Sequence, residues 1–206
     1  TGTQAASIAF GGEPPPTGTL TEEWNANVAV GAWVTGANLN TAREFISGAG
    51  TQTAALAFAG LTATAVTAVT EQYNGTSWAE VNNLNTARFG VGTGATNTAA
   101  LMFAGETATA LTANTESWNG YVWTEVNNLN TARKEGSGSG TATSALSNGG
   151  DTGSLTAIVE SWNGTSWTEV GDLNTAKSLT GSTGADNTSA LVFGGKTPPA
   201  VAQTEL

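Results

Sequence analysis

NLNTAR occupies residues 38–43, 83–88 and 128–133, and DLNTAK occupies residues 172–177. The phrase returns at intervals of 45, 45 and 44 residues. Such a period is far too long for a coiled-coil heptad or a collagen triplet. It suits one small supersecondary unit, so the chain reads as an array of repeats.

The other features of the unit emerge on either side of this phrase. After Arg88 come FGVGTGAT (89–96), a run of small residues, and TAALMFAG (98–105), an apolar run closed by glycine. TANTESWNG (112–120) and VWTEVNNL (122–129) follow, and then the hexapeptide returns. Four short runs separated by Gly, Asn and Ser clusters predict a four-stranded antiparallel meander. Asn119-Gly120 between two tryptophan-bearing runs is a hairpin signal, since both residue types can adopt the positive φ of a tight turn.

The same marks recur along the chain. The second strand ends in Phe10-Gly11-Gly12, Phe58-Ala59-Gly60, Phe103-Ala104-Gly105, Asn148-Gly149-Gly150 and Phe193-Gly194-Gly195. The third carries Trp24, Tyr73, Trp118 and Trp162, each two residues after Glu22, Glu71, Glu116 and Glu160. The fourth opens at Trp33, Trp78, Trp123 and Trp167, which leaves Tyr121 as the one Trp or Tyr outside the scheme. A lone four-stranded unit cannot bury both of its faces, but radial packing of successive units can. A straight β-solenoid is the structural rival, yet its rungs are usually shorter than ~45 residues. The expectation is an all-β chain: a β-propeller of four-stranded antiparallel blades, about five in number, with an incomplete first and last blade.

Composition agrees with strands and narrows the function. Charged residues make up 11% of the chain, against roughly 25% in an ordinary soluble domain. The net charge of −10, with only six basic residues, gives nucleic-acid binding no electrostatic support. No apolar run approaches the about 18 residues of a membrane-spanning helix. Few lysines among many Thr, Gly and Asn point to an extracellular or virion-surface protein. Asn74, Asn163 and Asn187 each begin an N-glycosylation sequon.

The order of an apolar strand ending in two small residues, then an aromatic, then Trp, then a basic residue resembles the kelch motif over essentially all 206 residues. The hexapeptide, together with the TAALAFAG-type strand, is also similar to kelch-like repeats of phage and environmental viral proteins. That likeness implies one propeller with a blade per repeat, over units of approximately 1–43, 44–88, 89–133, 134–177 and 178–206. Ala59 and Ala104 depart from its Gly-Gly pair, and Asn148 from its aromatic. Its best-known enzymes are copper radical oxidases, which need His, Cys and Tyr at the metal; this chain has neither His nor Cys. No cofactor is expected.

The chain begins within a second strand and ends within a third. A closure in which residues 178–184 complete the first blade of a four-bladed ring would leave Leu191, Val192 and Phe193 on an unpaired strand. Five blades are therefore expected; the alternative is a longer chain, or neighbouring copies that supply the missing strands. Incomplete end blades make self-association or contact with neighbouring subunits the expected partnership.

Candidate site residues are those that repeat. Arg43, Arg88, Arg133 and Lys177 are expected to pair structurally, between blades, with Glu22, Glu71, Glu116 and Glu160. The same four cations on one rim would suit an anionic glycan. Catalysis needs one asymmetric site, and carboxylates repeated around a ring do not make one. The variable segments 13–21, 61–69, 106–114, 151–159 and 196–203, which join the second strand to the third, are where recognition residues would lie. The expected function is therefore a non-catalytic structural or adhesive module of a phage tail fibre, surface appendage or secreted filament, contacting glycans. The alternatives are an intracellular protein-interaction domain and, more remotely, a polysaccharide-acting enzyme.

Overall fold

A computed structural model describes residues 6–11, 19–25, 32–197 and 200–206. The described residues are strands and their connections, grouped in five antiparallel sheets. The first sheet holds β1 (Ala6–Phe10), β2 (Thr21–Asn25) and β3 (Ala32–Thr35). The second holds β4 (Ser47–Thr51), β5 (Ala54–Phe58), β6 (Thr70–Tyr73) and β7 (Trp78–Glu80). The third holds β8 (Phe89–Thr96), β9 (Ala99–Glu106), β10 (Thr115–Trp118) and β11 (Trp123–Val126). The fourth holds β12 (Ser137–Gly140), β13 (Ala145–Asp151), β14 (Leu155–Trp162) and β15 (Trp167–Glu169). The fifth holds β16 (Gly181–Asp186), β17 (Ser189–Phe193) and β18 (Thr204–Glu205).

Each sheet is a simple meander, and the innermost strands β4, β8, β12 and β16 pack side by side, as blades of a β-propeller do. Among the described residues the first and last blades have three strands each, and residues 181–186 belong to the fifth sheet, not to the first. Among the described strands, no comparable packing joins β16 to β1. Residues 26–31, most of the 13–21 segment and residues 198–199 lie outside the described residues.

The core sits between the sheets. Phe58, Leu56, Leu84, Met102, Trp118 and Trp123 fill the space between the second and third. Phe103, Leu101, Leu129, Trp162 and Trp167 do the same between the third and fourth. Glycine makes this close approach possible. A Cβ on Gly92 would stand 2.5 Å from the Phe58 ring, and one on Gly138 would stand 2.8 Å from Phe103. Each phenylalanine therefore lies beneath a glycine of the next inner strand.

Local details differ from the sequence reading in two places. The Asn-Gly hairpin is a four-residue loop in which only the glycine has positive φ (Gly75, Gly120 and Gly164 at 90°, 94° and 92°). Asn74 Oδ1 instead accepts the amides of Thr76 and Ser77, and Asn119 and Asn163 do likewise one and two repeats on. The 151–159 segment is not an open loop, because β14 begins at Leu155 and closes it into a tight hairpin with β13.

Candidate functional site: the inter-sheet joint and the exposed faces

The hexapeptide is a joint built around one carboxylate. Glu71 on β6 accepts at Oε2 from the amide (2.7 Å) and Nδ2 (2.8 Å) of Asn40. At Oε1 it accepts from the amide of Thr41 (3.2 Å) and from Arg43 Nη1 (2.5 Å). Arg43 Nη2 reaches the carbonyl of Ala57, and Asn40 Nδ2 that of Trp78. Glu116 and Glu160 repeat the arrangement with Asn85, Thr86 and Arg88, and with Asn130, Thr131 and Arg133. Thus the Asn, the Thr amide and the cation of the phrase serve one hub, while its Leu enters the core.

The basic residue holds two sheets at once. The Arg88 side chain grips the third sheet through Glu116 and the Met102 carbonyl. Its own carbonyl accepts from the amide of Gly60, at the end of the second sheet's apolar strand. Arg133 with Gly105, and Lys177 with Gly150, are joined the same way. Both charges of these pairs are 0–1% exposed, so a lost partner would leave a charge stranded. Burial lowers the pKa of Arg43 and of Arg88, opposed by Glu71 and Glu116 respectively. Nε of each arginine finds no acceptor, a cost the joint carries three times.

The sequence-derived residues divide unevenly. Arg43, Arg88 and Arg133 meet Glu71, Glu116 and Glu160. Lys177 meets Glu205 at 2.7 Å, and Glu205 also accepts from the amide and Nδ2 of Asn174. Burial works to raise the Glu205 pKa, but Lys177 and Asn174 hold it below the usual range. Glu205 is not among the expected partners, although Thr204-Glu205 echoes Thr70-Glu71 and Thr115-Glu116. Glu22 is exposed and joins no ion pair among the described residues, for no hexapeptide precedes its sheet in residues 1–21. A cationic rim for an anionic glycan is absent at these positions, because all four cations are buried and matched.

A second device locks each sheet to the next. Trp78 Nε1 donates to Thr21 Oγ1, Trp123 to Thr70 and Trp167 to Thr115, at 3.0–3.1 Å. Phe10, Phe58 and Phe103 pack against the same three indoles, with ring centres 4.8–5.1 Å apart. The sequence spaces these aromatics regularly but does not show which threonine receives each indole. The fourth interface changes every part of the lock: Asn148 replaces the Phe, Val159 the Thr and Ser182 the overlying Gly. A cleft of about 310 Å³ opens there, lined by Asn148, Val159, Leu173 and Val192.

Half of the lock stands exposed at each end of the array. Trp33 on β3 is 49% exposed, and Phe193, at the end of β17, is 43% exposed beside the exposed Thr204. The sequons differ in availability. Asn74 and Asn163 are exposed with Nδ2 free of any hydrogen bond among the described residues. Asn187 Nδ2 donates to Ser161 Oγ and the Trp162 carbonyl. The repeated Glu80, Glu125 and Glu169 lie on exposed surface. Neither a protein-family model nor a curated protein matches the chain.

Proposed function

We propose that the chain is a non-catalytic, kelch-like scaffold of an extracellular or virion-borne assembly, such as a tail fibre, a surface appendage or a secreted filament. Its copies join end to end, and its surface contacts glycans. The carrying observation is the divided lock. Three interfaces join a Phe and a Thr of one sheet to the Trp of the next. The last sheet presents Phe193 and Thr204, the first presents Trp33, and both faces are open. Joining the last sheet of one copy to the first of another repeats the internal contact. Such a heterologous contact generates a chain or a large ring. The low lysine content and net charge of −10 favour the extracellular setting.

Sedimentation and electron microscopy of the 206-residue chain test this reading. Concentration-dependent oligomers are expected, with Trp33→Ala and Phe193→Ala each abolishing assembly. Mixing the two variants should yield dimers and nothing longer, because each retains one sound face. A wild-type chain that stays monomeric at high concentration would refute end-to-end joining.

A further inference from the structure

One inter-sheet cleft departs from its repeat counterpart at two lining positions, Tyr121 and Gln72, whose equivalents are Thr165 and Ser117. It lies between the second and third sheets, measures about 640 Å³ and is lined by Gln72, Glu80, Asn82, Trp118 and Tyr121. That volume falls within the roughly 300–1,000 Å³ of small-ligand sites. The cleft one repeat on measures about 430 Å³ and is lined by Glu125, Asn127, Trp162 and Thr165. The Glu, the Asn and the Trp recur in register, and Tyr121 stands where the counterpart has Thr165. Tyr121 is also the one Trp or Tyr outside the repeat scheme.

The ring is displayed and held. Tyr121 is 79% exposed, and its hydroxyl has no hydrogen bond among the described residues. Asn82 Nδ2 donates to the Tyr121 carbonyl at 2.7 Å, which pins the loop carrying it. Across the cleft, Glu80 Oε1 accepts from Asn83, which leaves Oε2 open. Gln72 spends an N–H on the Asn97 carbonyl, which leaves its own oxygen as an acceptor. The site therefore offers one flat apolar plate and several acceptors. Its complement has a CH face and a periphery of hydroxyl donors, which is the chemistry of a pyranose. Glu80 and the net charge of −10 act against an anionic sugar.

We infer that the Gln72–Glu80–Tyr121 cleft is a subsite for a neutral glycan, one pyranose stacking on Tyr121 while its hydroxyls donate to Glu80 and Gln72. This rests on the adhesive part of the proposed function and names its site. The fourth-sheet cleft is an internal comparison, since it keeps the recurring Glu, Asn and Trp and lacks both the plate and the Gln72 acceptor, with Thr165 and Ser117 in their places.

Affinity electrophoresis tests it, with the chain run through gels containing mannan, dextran or galactan as neutral probes and polygalacturonate as the anionic one. At least one neutral polysaccharide should retard the wild type. Tyr121→Ala should abolish that retardation, and Glu80→Ala should weaken binding roughly tenfold. Thr165→Tyr together with Ser117→Gln should add a second site and increase retardation. Failure of every neutral probe, retardation by polygalacturonate alone, or an unchanged Tyr121→Ala chain would overturn the inference. Running the set in the Trp33→Ala background removes avidity from assembly, and sedimentation of the same samples reads the end-face contact separately.

Discussion

Arg88 Nη1 stands 2.5 Å from Glu116 Oε1 in a space closed to solvent, although 28 residues separate the two in sequence. The contact ties the phrase between sheets to the strand it serves. Replacing Arg88 with Met should cost about 3–5 kcal/mol, because the Glu116 carboxylate would remain buried without its counter-charge. Arg88→Met with Glu116→Leu should cost clearly less than the sum of the single changes, since neither charge is then stranded. Denaturant unfolding of the four chains checks this.

The left-handed backbone at Ala59 and Ala104 (φ 63° and 58°) makes a stabilising change available. An L-residue there bears roughly 1–2 kcal/mol of strain, partly offset by the greater entropy loss of glycine. Ala104→Gly should therefore raise stability by about 0.5–1 kcal/mol. Gly105→Ala should do the reverse and more strongly, for its Cβ would stand 2.1 Å from the Phe89 carbonyl oxygen. The melting temperatures should move in opposite directions.

Trp123 separates stacking from hydrogen bonding. Trp123→Phe keeps an aromatic against Phe58 and leaves Thr70 without its indole donor, so it should cost about 1–2 kcal/mol. Trp123→Ala also empties the space between sheets and should cost about 3–5 kcal/mol. Trp33→Phe, on an exposed face, should change monomer stability by under about 0.5 kcal/mol.

Tyr73 makes the first inter-sheet contact sensitive to alkali. Burial and the hydrogen bond that its hydroxyl donates to Glu23 push its pKa from 10.0 up to about 12. The folded state thus favours the protonated phenol. Its stabilising contribution is complete below the unfolded value of 10.0 and disappears as pH rises towards about 12. Phenolate absorbance should show late titration of Tyr73, with stability falling over the same interval, and Tyr73→Phe should remove that component.

Expression in a glycosylating host should modify Asn74 and Asn163 and spare Asn187. The Asn187 amide already bridges the fourth and fifth sheets through Ser161 and the Trp162 carbonyl. Intact-mass analysis after glycosidase treatment reads the occupancy. A glycan on Asn187 would contradict the bonded geometry.

The repeat alone carried much of this protein. A 45-residue period, alternation within short runs and regularly placed aromatics required antiparallel sheets with two buried faces. The recurrence of one Arg or Lys per unit, and of a Glu two residues before the first aromatic, marked the joint's components. Only the tertiary structure decided how they meet: a carboxylate gathers Asn, Thr and Arg groups from a segment about thirty residues away. It also set Glu22 apart and matched each indole to a threonine of the preceding sheet. Periodicity reports which side of a strand is buried, because that follows from local geometry. Partner choice and exposure depend on how separate sheets stack, and the same local signals left Trp33 open while burying Trp78.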